Sequence, residues 1–202
     1  MGSDMNLPVF FCSNCLFSKC YTMKLTEDFK LERYGIHVRL VNEDDAGFIV
    51  TLRTDPKLGR HIHYTENDAE KQKEWIRKYK LREKEGKDYY FIFHYENEPI
   101  GLCRIYDIED NFGTSGSWVC KPDLPLDIPI LTLIITREIM FDELELLYDR
   151  YDIRKENKKS LRMNDLFGGI KTRETELDYF FELSKEAFKT KKDYLLGLLS
   201  VN

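Results

Sequence analysis

The sequence has no run that could cross a bilayer. Its most apolar stretch, Leu124 to Phe141, is broken by Asp127 and Arg137 and reads as a buried element. The N-terminus carries no basic region, and residues 8–20 include Asn14 and Lys19, so no secretory signal is expected. Gly2 follows Met1, but position 6 is Asn6 rather than Ser or Thr, so the myristoylation pattern fails. Five cysteines, an odd number, argue against a secreted disulfide framework and for a reducing cytoplasm. Basic charge is not in excess. With 31 Lys and Arg against 36 Asp and Glu, the net charge of −5 leaves no overall field for nucleic acid. Internal repeats and low-complexity tracts are missing, and so are a P-loop, GxGxxG, HExxH and GxSxG.

What remains is an ordinary globular balance, 42% hydrophobic and 33% charged over 202 residues, enough for one core. Residues 1–22 stand apart as an N-terminal extension that either docks or is disordered, and a single domain is expected over 23–202. Cys12, Cys15 and Cys20 begin like a zinc site, but a closed tetrahedron needs four ligands, and the first histidine is His37, far downstream. His61 and His63 likewise lack a third ligand and read as a polar loop, so no metal is expected. Cys103 and Cys120 fall inside strands and read as small buried hydrophobes.

From residue 36 the pattern becomes regular. Ile36 to Val41 alternates as a strand, and Glu43 to Arg53 reads as a helix with acids at its front. After a loop with Pro56 and Gly59, Thr65 with Asp68 resembles a capping signal for a helix running to about Glu85, closed by Gly86. Strands at 89–95, 100–108 and 115–121 form an antiparallel meander. A buried helix is expected next, with Asp127 as its cap and Pro129 in its first turn. A strand at 147–154, a helix at 157–167 closed by Gly168 and Gly169, two short strands and a helix from Ser184 complete the chain. A crossover helix after a meander demands one parallel pair, so the sheet is mixed.

The segment from Tyr151 to Gly168, YDIRKENKKSLRMNDLFG, resembles the GNAT N-acyltransferase superfamily, in which a strand carrying DVRxxN leads into a helix. The element order from Ile36 onward agrees with it. The resemblance implies an α/β (α+β) fold, a mixed and mostly antiparallel sheet with helices on both faces. It also implies acyl-CoA as co-substrate, with Asn157 and Ser160 helping to hold it. A closer likeness, in Arg53-Thr-Asp55, Arg60, Thr65, Gln72 to Ile76, Tyr89 to Ile92 and Gly116 to Trp118, is to nucleotide-linked amino-sugar N-acyltransferases. The nearest type acylates dTDP-3-amino-3,6-dideoxy-D-galactose. That implies acetyl-CoA or 3-hydroxybutyryl-CoA as donor and a dTDP-sugar as acceptor. A homo-oligomer stays open.

Two departures from the family pattern stand out. The glycine loop that binds pyrophosphate is replaced by KPDLPLDIP, which leaves the amides of Leu126, Asp127 and Ile128 at a helix N-terminus to face an anion. The usual tyrosine on the later helix is Asn164. The resemblance makes Ser117, Trp118 and Val119 the strand beside the pantetheine, with a backbone N–H near Trp118 or Val119 as the oxyanion donor. Asp107, Glu109 and His63 are candidate bases, Asp107 foremost. Arg53, Arg60, His63, Tyr64, Arg104 and Tyr106 are candidates for the acceptor, because guanidinium forks match diphosphate oxygens. Rival expectations are an N-terminal or small-amine acetyltransferase, or an acyl-CoA-binding module without catalysis.

Overall fold

The computed structural model describes residues 23–199. Eight strands form one sheet in the order β1-β2-β3-β4-β5-β6-β8-β7. They are β1 (Lys30–Arg33), β2 (Ile36–Leu40), β3 (Asp88–Tyr95), β4 (Glu98–Glu109), β5 (Phe112–Cys120), β6 (Tyr148–Arg154), β7 (Ile170–Glu174) and β8 (Asp178–Ser184). Every neighbouring pair is antiparallel except β5 with β6. The cysteine cluster of residues 12–20 lies outside the described residues.

Helices cover both faces, as the sequence pattern requires. One face carries α1 (Ala46–Thr54) and α2 (Ala69–Glu85), which bury Ile49, Leu52, Ile76 and Tyr79 against Tyr90, Ile92, Leu102 and Val119. The other face carries α3 (Asp127–Glu138), α4 (Lys158–Phe167) and α5 (Lys185–Leu198) over Phe91, Phe93, Cys103 and Ile105. Within α3, nine residues are buried, which is why its sequence is apolar nearly all round. It continues into a π-helical turn, Ile139–Glu143, before β6.

Local chemistry explains most boundaries. Asp68 accepts hydrogen bonds from Glu70 N (2.9 Å) and Lys71 N (3.1 Å), and Gly86 ends α2 in the left-handed region (φ +79°). Thr65 takes no part in that cap, because its hydroxyl is taken by Arg53. The acids at 43–45 form a short 3-10 turn capped by Asn42, so α1 starts later than expected, at Ala46. At α3 the residue before the helix, Leu126, gives no side-chain cap, and Asp127 is the first helical residue rather than the cap. Strand β1 is an addition to the expected order. It pairs with β2 across Tyr34 and Gly35, both at positive φ, the geometry of a tight hairpin.

Two bulges interrupt the β4–β5 ladder. Between the pairs Tyr106↔Thr114 and Glu109↔Phe112, β4 has one extra residue, and there Asp107 sits at φ +50°. Between Leu102↔Val119 and Arg104↔Gly116, the extra residue is on β5, where Ser117 sits at φ +52°. Each bulge turns the strand locally and so re-aims nearby groups.

Candidate active site

Strands β5 and β6 pair at only two positions, Phe112↔Tyr148 and Gly113↔Asp149. Beyond them they part, and a cleft of about 800 Å³ opens between them. It is lined by Ser115 to Lys121 on β5, by Tyr151 to Arg154 on β6, by Asn157 to Ser160 on α4, and by His61 to Tyr64 from the α1–α2 loop. The Lys121 N–H donates to Ile100 O on β4 at 2.7 Å. By strand alternation Val119 turns its N–H the same way, and Ser117 and Trp118 form the bulge next to it on the cleft. The Trp118 indole is held by a 3.0 Å bond from Nε1 to Thr132 Oγ1.

The mouth is basic in an acidic protein. Lys57, Arg60, Lys121, Arg154, Lys158 and Lys159 line the cleft, outnumbering Asp152, Glu156 and Asp178. Asn157 caps α4, its Oδ1 accepting from Ser160 N at 3.1 Å, so both expected donor-side residues stand at the cleft, joined to each other. Leu126, Asp127 and Ile128 do not line it: Leu126 is 92% exposed and Ile128 is buried in the core. The next helical turn does, through Pro129 and Leu133. The prolines and the Asp127 side chain shape this helix start unlike a glycine loop.

On the acceptor side the structure divides the expected residues. Arg60, His63, Tyr64 and Tyr106 line the cleft. Arg53 does not; its Nε bonds Thr65 Oγ1 (2.6 Å) and its Nη2 bonds His63 O (3.0 Å), so it straps the loop. Arg104 does not either. It forks onto Asp88 and lies over the rings of Trp75, Tyr90 and Tyr106. Its charge is spent inside the sheet, and its effect on the cleft passes through Tyr106. Gly116 makes room for that ring, since a Cβ there would come within 2.8 Å of Tyr106 Oη. Asp107 is exposed at its bulge and stands off the cleft, which corrects the expectation that it serves as base.

A different carboxylate is in place. Asp152 on β6 lines the cleft, with its side chain exposed there. Burial raises its pKa above the usual 3.8, and the Asp178 charge adds to this, while His63 and Arg154 pull the other way. His61 accepts from Arg60 Nε at 2.8 Å, and burial followed by the Arg60 charge lowers its pKa, so its ring is neutral. Tyr151 also lines the cleft. Its hydroxyl donates to Asn164 Oδ1 at 2.7 Å, and burial pushes its pKa up to about 12. Sequence reasoning had the DVR-like run in hand but treated its first residues as strand only. The alternation of β6, with Tyr151 and Ile153 buried between more exposed neighbours, could not show which of them reached the cleft. Among the described residues no cluster of three or more metal-ligating side chains occurs, and no helix is long and apolar enough to cross a membrane.

Comparison with known proteins agrees with this geometry. Residues 36–165 match the model of an acetyltransferase (GNAT) domain. The chain belongs to the GNAT family. A solved structure described as apo FdhC, a nucleotide-linked sugar GNAT, is 30% identical, with a TM-score of 0.74 over 83% of this chain and 96% of that one. A ribosomal-protein-S5-alanine acetyltransferase from Vibrio fischeri is 18% identical (TM-score 0.68; 79% of this chain, 98% of that one). A spermidine N-acetyltransferase from Vibrio cholerae is 12% identical (TM-score 0.65; 79% and 99%), and these last two share the fold alone. A search of curated sequences finds no match. As a GNAT enzyme the protein is a CoA-dependent N-acyltransferase. The parted β5 and β6, with a free backbone edge and a lysine-rich mouth, fit an extended pantetheine arm with phosphates at its outer end.

Proposed function

We propose that this GNAT enzyme transfers a short acyl group from acyl-CoA to the amine of a nucleotide-linked amino sugar, a dTDP-sugar in the first instance. The observation that carries the reading is the rim opposite the β5 edge, where Arg60, His63, Tyr64 and Arg154 stand together. Guanidinium groups suit a diphosphate and an exposed aromatic ring suits a base. The 30% identity to a nucleotide-linked sugar GNAT supports the same acceptor class.

The chain's own groups divide the work. Acyl-CoA supplies an activated carbonyl. Asn157, Ser160, Lys158 and Lys159 hold the donor's outer part. The Trp118 N–H stabilises charge that grows on the carbonyl oxygen. Asp152 takes the proton from the ammonium, directly or through a water. Tyr151, neutral at physiological pH, returns a proton to the departing thiolate. Both substrates are cytoplasmic compounds, and the reaction is assigned there. Residues 23–202 are taken as the catalytic unit: Leu25 N donates to Tyr89 Oη at 3.1 Å, so a chain starting at Met23 retains this contact and should keep full activity in the same assay.

The test is thiol release from acyl-CoA with a panel of acceptors. The reading holds if dTDP- or UDP-linked amino sugars give a kcat/KM well above those of spermidine, simple amines and N-terminal peptides. Equal rates across the panel would remove the nucleotide-sugar assignment and leave the family in place. Thermal stabilisation by CoA without turnover of any acceptor would favour a binding module.

A further inference from the structure

The chain has four histidines, and two of them stand directly opposite one another. His37 on β2 pairs with His94 on β3, and Glu32 on β1 pairs with His37, so the three residues form one row across three neighbouring strands. Residues directly opposite in antiparallel strands project from the same face of the sheet. That face is the one under α1 and α2, since Ile92, two residues before His94, packs there. The row lies on the β1 side of the sheet, in a hollow of about 470 Å³ lined by Lys30, Glu32, His37, Arg39, His94 and Asn97. This hollow shares no lining residue with the β5–β6 cleft.

The hollow offers lone pairs rather than donors. Glu32 Oε2 lies 3.4 Å from His37 Nδ1. A carboxylate there favours the proton on Nδ1 and leaves the lone pair on Nε2. Burial, and after it the Arg39 charge, lower the pKa of His94, so that ring is neutral at pH 7 and also keeps a lone pair. An anion would need free donors instead, and the Arg39 guanidinium is held by Asp45 through two bonds of 2.7 Å and by Leu40 O at 3.0 Å. Directly opposed Cβ atoms are about 4.5–5.5 Å apart, and a ligating imidazole nitrogen sits about 2.0–2.1 Å from zinc, so two such rings can close on one ion.

We propose that His37 and His94 form a two-imidazole site for a late first-row divalent cation, Zn²⁺, Ni²⁺ or Cu²⁺, with Glu32 orienting His37 from behind. Imidazole nitrogen suits these ions, whereas Mg²⁺ and Ca²⁺ take oxygen ligands. Two protein ligands leave the remaining positions to water, so the site is open rather than a closed cage. A cation held by both rings joins β2 to β3 and fastens the edge hairpin β1–β2 to the sheet. The site takes no part in acyl transfer and is independent of the acceptor.

The experiment is calorimetric titration of the full chain with NiCl₂, and with MgCl₂ as the control ion. It is repeated on His37→Ala, His94→Ala, Glu32→Gln and the double variant His61→Ala/His63→Ala. The event that counts is the one both His37→Ala and His94→Ala remove, which separates it from any thiolate binding by the five cysteines. The unmodified protein and the His61/His63 variant should show that event with Ni²⁺ and not with Mg²⁺. Each single histidine variant should weaken it by about 100-fold or more, because one arm of the chelate is gone. Glu32→Gln should weaken it by about 10-fold, the lower end of the range for such orienting groups, since Glu32 and His37 are both exposed. Coincident melting curves without metal check that the variants fold. Ni²⁺ should also slow amide exchange in β1 and β2 of the unmodified protein and not of His94→Ala. If no event is lost in both His37→Ala and His94→Ala, the proposal is overturned. The same holds if the His61/His63 variant loses the event instead, which would place the cation at the acceptor loop. Unchanged affinity in Glu32→Gln would strike Glu32 from the site.

Discussion

The Tyr151 hydroxyl donates a 2.7 Å hydrogen bond to Asn164 Oδ1. The family resemblance leads to a tyrosine at position 164 on α4, and this chain has asparagine there. Tyr151 reaches the same spot from the strand beside it. The phenol is delivered across the β6–α4 gap and oriented by the amide that stands in the usual tyrosine's place. Burial raises its pKa, with the nearby Arg137 opposing, so the phenol is protonated at neutral pH.

Tyr151→Phe keeps the ring and removes the proton. It should lower kcat on the order of 10²-fold, with CoA affinity unchanged by calorimetry. A fall in melting temperature with kcat intact would mean that the hydroxyl only supports α4.

Gly169 guards this pair. A Cβ at position 169 would lie 2.1 Å from Tyr151 Oη and 2.4 Å from Asn164 Oδ1, atoms that already constrain one another. Gly169→Ala should cost about 1–3 kcal/mol through overpacking and lower kcat together with the melting temperature. Adding Tyr151→Phe to Gly169→Ala should recover part of the stability loss, because the clashing oxygen is gone. Strict additivity in thermal melts would show that the clash is relieved elsewhere.

Asp152 must be ionised to accept a proton, and its pKa is raised by burial and by Asp178. The rate should therefore fall as pH drops, with its acidic limb above the usual 3.8. Asp178→Asn removes a repelling charge and should move the limb down, and His63→Ala removes an attracting one and should move it up. Asp152→Asn should lower kcat by roughly 10²–10⁴ and abolish the limb. Asp107→Asn, on the exposed bulge, should stay within about twofold of the unmodified rate, far short of a general-base effect. A pH–rate profile of the five proteins decides the matter, and an unchanged limb in Asp152→Asn would remove that residue from the mechanism.

Arg53 and Arg60 lie seven positions apart and should fail differently. Arg60→Ala takes a guanidinium from the rim and should raise acceptor KM about tenfold or more, with the melting temperature kept. Arg53→Ala and Thr65→Val both cut the strap that positions His63. Each should raise acceptor KM only a few-fold, and the double variant should do no more than Arg53→Ala alone, since that change already removes the Thr65 contact. Additive losses would mean that Arg53 touches the acceptor itself.

Much of this architecture is written locally. Asp68 and Gly86 mark the ends of α2, Asn157 and Gly168 those of α4, and the alternating apolar residues of 36–41 and 89–95 mark strands, because caps and periodicity act within a few residues of each other. The two-residue turn at Tyr34 and Gly35 was not legible, since β1 is short, polar and half-exposed, and only its pairing with β2 makes it a strand. Thr65 looked like a cap because its spacing to Asp68 suits one, and a more distant guanidinium claimed its hydroxyl instead.

The amino-acid sequence by itself determined the element order from β2 onward, the need for one parallel strand pair and the cap that sets Asn157 at the start of α4, since each depends on neighbours along the chain. Which side chains share the cleft was decided only by the tertiary structure. Asp107 and Ser117 each occupy a bulge on facing strands, yet one is turned to solvent and the other to the site, and one extra residue is enough to make that difference. Arg104 and Arg137 are both arginines near the same sheet. Asp88 and three rings occupy the first, while Asp149 leaves the second with a free Nε, and no spacing along the sequence encodes which partner a folded neighbour will supply.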